Sequence, residues 1–330
     1  MPQTMKLALL DDYQKVAMRL ADWDRLKKRG VEITAFHEPF SSVDDAAAKL
    51  QPFQILQLLR ERTPFPRALI ERLPNLKFMV LTGARASSLD DKAATERGIP
   101  ISNTPSGGSN ASTAELAWAL LMSCARDLAK AERVMRAGGW HDGVKGMQVL
   151  EGKRLGVIGL GRLGSRMAGY AKAFGMDVVA WSQNLTEEKA AKGGAKLVSK
   201  DELLATSDFM TIHLVLSDRT RGLIGPADFA KMKKTAMLIN TSRGPIVDEA
   251  ALIAALTSGA IAHAGLDVYD REPLPAGHAL TKLDNVTLVP HLGYVVEEAY
   301  RSFYEGTIAD IEAWLDDKPI NVINPAALKA

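Results

Sequence analysis

Apolar runs of strand length alternate with helical stretches along the whole chain. Residues 6–10, 55–59, 76–81 and 99–102 are short and almost continuously apolar, the pattern of strands buried on both faces. Between them apolar positions recur every three or four residues, which predicts helices. After Asn103-Thr104-Pro105-Ser106-Gly107-Gly108 the pattern predicts one long helix over about 113–137, ended by Gly138-Gly139. A second strand series follows at 154–158, 177–181, 196–198, 208–214, 236–240, 262–267 and 286–289. Helices separate most of these strands, for example 249–256 behind Asp248 as N-cap. Such alternation predicts parallel sheets joined by right-handed crossovers, an α/β fold with two doubly wound domains.

A last helix, 297–315, carries an apolar stripe with Ile308, Ile311 and Leu315 and begins after the second strand series is complete. It is expected to return to the first domain. Residues 1–105 plus 297–330 would then form one discontinuous domain, with 106–296 inserted into it. Two crossings would make a hinge with a cleft beneath it.

Composition narrows the function classes. The 330 residues suit two domains, and 47% hydrophobic residues suffice for full cores. Lys+Arg 41 against Asp+Glu 39 leaves a net charge of +2, so no global positive field argues for a nucleic-acid partner. The apolar run 116–125 is closed by Glu115 and Arg126 at half the ~20 residues a membrane span requires. The N-terminal apolar stretch reaches Asp11-Asp12 too soon for a secretory leader, which makes a cytoplasmic protein the expectation. A single cysteine, Cys124, excludes an internal disulfide and a cysteine-based metal site; no metal is expected.

Gly159-Leu160-Gly161-Arg162-Leu163-Gly164 follows a predicted strand and opens a helix running to about residue 174. The first glycine allows the tight turn, the second lets backbone approach a pyrophosphate, and the third lets helix and strand pack closely. Arg162 and Leu163 begin the helix, whose N–H groups and partial positive charge suit phosphate. The pattern therefore predicts a Rossmann domain. At the end of the next strand Ser182 stands where an acidic residue would hold the adenosine ribose. Without that carboxylate NADP is admissible, yet Gln183-Asn184-Leu185-Thr186 holds no cation to grip a phosphate, and Arg162 is the nearest candidate. NAD or NADP both stay open.

Three further strand ends carry polar residues: Asn240-Thr241-Ser242-Arg243-Gly244, Asp267 with Glu272-Pro273-Leu274-Pro275, and Pro290-His291-Leu292-Gly293. Glu272 lies 29 positions after Arg243 and His291 a further 19 on. Taken singly, Arg243 and Glu272 read as surface ion-pair members and one of six histidines as a packing residue. Taken in this order behind the glycine fingerprint, together with Asn103-Thr104-Pro105 and Ala114-Glu115-Leu116, the chain resembles the D-isomer-specific 2-hydroxyacid dehydrogenases over essentially its whole length. The resemblance implies a flavodoxin-like substrate domain around the inserted Rossmann domain. It implies Arg243 as substrate-anchoring cation, Glu272 as partner of the histidine and His291 as acid/base. Thr241, Asp267 and Gly293 would lie near the cofactor. His213 is either structural or cofactor-facing, and Val215 replaces the proline usual in its loop. Glutamate rather than glutamine at 272 disfavours the formate dehydrogenase branch.

Substrate clues sit in the first domain. The family's glycine loop for the substrate carboxylate corresponds to Gly83-Ala84-Arg85, where Arg85 replaces the second glycine. Arg60 and Arg62 resemble the Arg-x-Arg of D-3-phosphoglycerate dehydrogenases, although a solvated Arg-Glu-Arg surface explains them equally. Tyr294 is larger than the residues common after His-Leu-Gly and would narrow the acyl pocket. Small 2-oxo acids such as hydroxypyruvate or glyoxylate are the expected substrates, with 3-phosphoglycerate as alternative. A nucleotide-responsive interaction protein like the C-terminal-binding corepressors is the alternative of another class. The apolar face of helix 113–137, with Leu116, Leu120, Leu121 and Leu128, packs on its own domain or, as the resemblance implies, forms a homodimer contact.

Overall fold

A computed structural model describes residues 4–83, 86, 88–104, 109–144 and 147–329. The chain divides into two compact units, Met1–Ser109 with Val296–Ala330, and Asn110–Val295.

The first unit is built on five parallel strands: β1 (Met5–Leu9), β2 (Val31–Ala35), β3 (Ile55–Leu58), β4 (Phe78–Thr82) and β5 (Ile101–Thr104). Their order is β2-β1-β3-β4-β5, the flavodoxin-like order. Strand β2 lies outside the predicted set. It is an edge strand whose buried and wetter positions alternate, so it lacks the continuous apolar run of its neighbours. On one sheet face Ala8, Leu10, Leu56, Leu58, Met79 and Leu81 pack beneath the helix Val43–Leu50 and its neighbours. The helix Glu297–Leu315 begins and ends where the periodicity places it and lies against β4 and β5. It buries Phe303, Tyr304, Ile308 and Ile311, and Trp314 stacks on Phe78 with ring centroids 4.9 Å apart. Each fully buried aliphatic side chain contributes roughly 1.5–3 kcal/mol, so this helix is bound firmly into the unit that the chain left at residue 109.

The second unit carries seven parallel strands: β6 (Arg154–Ile158), β7 (Asp177–Trp181), β8 (Lys196–Leu197), β9 (Phe209–Ile212), β10 (Met237–Asn240), β11 (His263–Leu266) and β12 (Val286–Leu288). They are ordered β12-β11-β10-β9-β6-β7-β8. The first of them, β6, pairs with both β7 and β9, and the winding reverses there. At such a switch point the loops leave in opposite directions and open a crevice at the carboxyl ends of the strands.

The single helix expected over 113–137 is two helices, Ser109–Arg126 and Leu128–Arg136. Asp127 between them is buried and left-handed, with φ +50°, a conformation aspartate tolerates better than most residues. Both segments keep a 3.6-residue period, so periodicity alone does not reveal the break. Leu120 and Leu121 are buried in the unit's own core, whereas Leu128 is 52% exposed. Among the described residues no helix is long and apolar enough to cross a membrane, and no His/Cys/Asp/Glu group is arranged to hold a metal.

Candidate functional site

The fingerprint glycines sit at the switch point, and close approach explains the first and the third. Gly159 has φ +98°, and a Cβ there would stand 2.7 Å from the carbonyl oxygen of His213. A Cβ on Gly164 would stand 2.2 Å from the oxygen of Gly159, so only glycine lets the helix Arg162–Ala173 close on the turn. A Cβ on Gly161 would meet nothing within 4 Å, which marks the open side of the loop. Gly161 is the N-cap of that helix and supplies no side-chain cap, leaving the first-turn N–H groups around Arg162 and Leu163 for another acceptor.

Two buried polar atoms border the same crevice without a hydrogen-bond partner. One is Nδ1 of His213, just after β9; the other is Oγ1 of Thr241, just after β10. The other ring nitrogen of His213 lies 2.9 Å from Thr211 Oγ1. Burial pushes the His213 imidazole down to about 4, so it is neutral near pH 7. Open glycine backbone, an uncapped helix N-terminus and two orphaned buried polar atoms fit a dinucleotide. Ser182, at the end of β7, is half-buried beside this crevice.

The remaining residues assemble at the ends of β10, β11 and β12. Asn240 shapes the first loop: its Oδ1 accepts from Ser242 N–H at 3.0 Å and its Nδ2 donates to Arg243 O at 3.0 Å. Gly244 follows because a Cβ there would stand 2.1 Å from the Tyr269 carbonyl carbon. This close approach lays the Arg243 loop against the Tyr269–Asp270 backbone. Tyr269 in turn sets Glu272, whose Oε1 accepts from Tyr269 N–H at 3.0 Å. The Tyr269 hydroxyl reaches the carbonyls of Leu266 and Val289 at 3.2 and 2.9 Å, tying β11's exit to β12's.

His291 Nδ1 lies 2.5 Å from Glu272 Oε2. Burial acts to raise the Glu272 carboxyl, but the hydrogen bond and charge of His291, the Tyr269 N–H and the Arg243 guanidinium outweigh it and hold the carboxyl below its usual range. His291 itself is left-handed, with φ +52°. Asp267 enforces that turn. Its Oδ1 accepts from Leu292 N–H at 2.5 Å, its Oδ2 from Gly293 N–H at 3.0 Å, and its backbone oxygen from His291 N–H at 2.9 Å. Burial pushes the Asp267 carboxyl up to about 6 against these donors and the His291 charge. The Gly293 carbonyl accepts from Ser112 and Thr113 hydroxyls at 2.9 and 2.8 Å. Tyr294 is buried, with its ring edge-on to His291 at a centroid distance of 5.8 Å.

Arg243, Glu272, His291 and Asp267 are thus brought together, as are Gly159, Gly161, Gly164, His213 and Thr241 around the crevice. The supporting roles of Tyr269 and Gly244 have no signal in the sequence beyond their place in the two motifs. In the first unit, Arg60 and Gly83 meet: the Arg60 guanidinium occupies the space beside Gly83, where a Cβ would fall 1.7 Å from Nη1. Arg60 N–H donates to Thr82 Oγ1 at 2.9 Å. Arg62 donates to the Asp11 carbonyl at 3.2 Å and lies 4.6 Å over the Tyr13 ring. Ala84 and Arg85 lie outside the described residues.

A doubly wound unit with this fingerprint and a histidine–carboxylate pair beside an arginine defines an oxidoreductase that works with a nicotinamide dinucleotide. Residues 118–293 match the family model for the D-isomer specific 2-hydroxyacid dehydrogenase NAD binding domain. The glyoxylate reductase of Aeropyrum pernix is 39% identical over 269 residues, 79% of this chain and 80% of that protein. The D-3-phosphoglycerate dehydrogenase of Archaeoglobus fulgidus is 39% identical over 277 residues, 84% of this chain but 52% of that protein. The chain therefore spans about half the length of that relative. The crystal structure of a phosphoglycerate oxidoreductase from Vibrio cholerae O395 superposes with a TM-score of 0.89 at 32% identity, covering 95% of this chain and 99% of that one. The chain belongs to the D-isomer-specific 2-hydroxyacid dehydrogenase family.

Proposed function

We propose that this protein is an NAD(P)-dependent dehydrogenase interconverting small unphosphorylated 2-oxo acids, such as glyoxylate or hydroxypyruvate, with their D-2-hydroxy acids. The observation that carries the reading is the His291–Glu272 pair held next to Arg243 at the strand ends that flank the glycine crevice. The planar guanidinium of Arg243 offers directed donors to a carboxylate and the adjacent ketone oxygen. A dinucleotide held in the glycine crevice would supply the hydride. His291, with Nδ1 turned to Glu272, presents Nε2 to give a proton to the oxygen that gains charge, a role typically worth ~10²–10⁴-fold. Glu272 holds the ring and balances the imidazolium. Tyr294 beside His291 limits the acyl group to a short one.

A homodimer is part of this reading. Trp140, Met147 and Val149 are 68%, 60% and 71% exposed, and an open hollow of about 590 Å³ is lined by Met122, Val149 and Phe174 together with Arg126, Glu151 and Lys172. So much exposed apolar surface in one stretch suits a partner copy.

The test is the initial rate of NADH and NADPH oxidation with glyoxylate, hydroxypyruvate, pyruvate and phosphohydroxypyruvate. The first two are expected to turn over fastest. His291→Ala is expected to lower kcat by at least about 100-fold with dinucleotide affinity kept. Equal loss of both makes His291 structural, and no turnover with dinucleotide bound overturns the dehydrogenase reading.

A further inference from the structure

We infer that Arg219 and Ser182 form a subsite for the 2′-phosphate of the dinucleotide, so that NADP(H) is preferred to NAD(H). This inference rests on the dehydrogenase reading only for the presence of a dinucleotide.

Sequence around Ser182 offers no cation. The fold supplies one from 36 residues away: Arg219, in the loop after β9, donates from Nη2 to Gln183 Oε1. The sheet order explains the meeting. Strands β7 and β9 both flank β6, so the loops leaving their carboxyl ends stand on either side of the fingerprint turn. There an adenosine ribose reaches the end of β7, and the residue at that position chooses between a hydroxyl and a phosphate. A carboxylate there would accept from the ribose hydroxyls and repel a phosphate. Ser182 removes that repulsion and keeps a hydroxyl donor.

The Arg219 loop is preorganised for the task. Thr220 Oγ1 donates to Val215 O at 2.7 Å and accepts from Ser217 N–H at 2.8 Å. Backbone bonds from Thr220 and Arg221 to Ser217 O, and from Gly222 to Pro245 O, pin the turn further. Arg219 is exposed at its tip and, among the described residues, forms no ion pair. Its one bond is to a neutral amide, which fixes the guanidinium without neutralising it. Four of its five N–H donors remain for an anion, and guanidinium–phosphate bonds are the strong, charge-assisted kind. Val215, 83% exposed on the same loop, offers apolar surface to a purine.

The experiment is calorimetric binding of NADP⁺ and NAD⁺ to the full chain, without any substrate, for the wild type and for Arg219→Gln, Arg219→Lys and Ser182→Asp. The wild type is expected to bind NADP⁺ about tenfold or more tightly than NAD⁺. Arg219→Gln should bring the two affinities together by weakening NADP⁺ alone, and Arg219→Lys should restore part of the difference. Ser182→Asp should reverse the preference. Added salt should weaken NADP⁺ binding more than NAD⁺ binding. A wild type that binds NAD⁺ as tightly as NADP⁺ overturns the inference, as does a ratio that Arg219→Gln leaves unchanged. A dinucleotide preference of the expected kind without turnover of any 2-oxo acid removes the dehydrogenase reading and leaves the subsite standing. Failure to bind either dinucleotide removes both.

Discussion

Replacing Asp267 by asparagine separates the charge of this carboxyl from its shape. Asp267 is 1% exposed, and burial moves its carboxyl from the ordinary 3.8 up to about 6. A group raised on folding binds more protons in the folded than in the unfolded chain between those two values. Its contribution to stability is therefore present in full below 3.8 and is lost as the pH rises through 6. At 1.36 kcal/mol for each pH unit of that interval, the ionised carboxylate costs about 3 kcal/mol at neutral pH. The Leu292 and Gly293 N–H groups already offset part of the burial, because an ionised carboxylate accepts from both at once.

Asparagine carries no charge but offers one acceptor oxygen, so it meets one of these N–H groups with an NH₂. Leaving that donor unmet costs about 1–3 kcal/mol, which nearly cancels the gain from removing the charge at pH 7.5. At pH 4 the aspartate is protonated in the folded protein and has no charge penalty. The stability of the wild type relative to Asp267→Asn is thus expected to fall by about 2–3 kcal/mol between pH 4 and pH 8. Urea unfolding of both proteins across that range measures it, and His213, Asp11 and Asp310, whose protonation also changes on folding, cancel in the difference. In the same variant kcat should fall by about 10–100-fold, because the left-handed turn that aims His291 loses one of its two anchors. A relative stability that stays flat from pH 4 to pH 8 would refute the claim that Asp267 is held charged in a buried site at neutral pH.

Two further substitutions probe the supports of the strand ends. Gly83→Ala places a Cβ at φ +89° and 1.7 Å from Arg60 Nη1, and should cost about 1–3 kcal/mol in urea unfolding. Arg60→Ala in the same chain removes the steric part and leaves the φ part, so a double variant as stable as Arg60→Ala alone would place the whole cost in the contact. Tyr269→Phe deletes the hydroxyl that bridges the Leu266 and Val289 carbonyls, and should cost about 1–2 kcal/mol while kcat falls more than KM rises. A variant with unaltered kcat would mean that Glu272 is positioned by its backbone contact alone.

Much of the fold is legible because buried parallel strands are continuous apolar runs, and ten of the twelve strands contribute such a run to one of two sheets. The short β8 was legible too, through its place between two helices. Strand β2 escaped because an edge strand needs only one buried face, and Val31 is its one fully buried residue. The break at Asp127 escaped for the opposite reason. Helical periodicity continues on both sides of it, and a single left-handed residue leaves no trace in a pattern read over eleven or more positions.

The candidate site divides along the same line. Gly159, Gly164, Arg243, Glu272 and His291 sit in short motifs, and what each motif needs is local: a turn, a close approach, a charge at a strand end. Asp267 was visible as a motif residue, yet the work the structure gives it, two N–H bonds to the turn after His291, depends on β11 and β12 being neighbours. Gly244 likewise has its reason in the Tyr269–Asp270 backbone, 25 positions away. The segment after Ser182 holds no cation, because the guanidinium beside it arrives across β6 from the loop after β9. Parallel sheets impose this limit. Every crossover returns the chain to the same end of the sheet, so the residues that share a site come from loops separated by whole βα units. A motif fixes the chemistry of each loop, and strand order decides which loops meet.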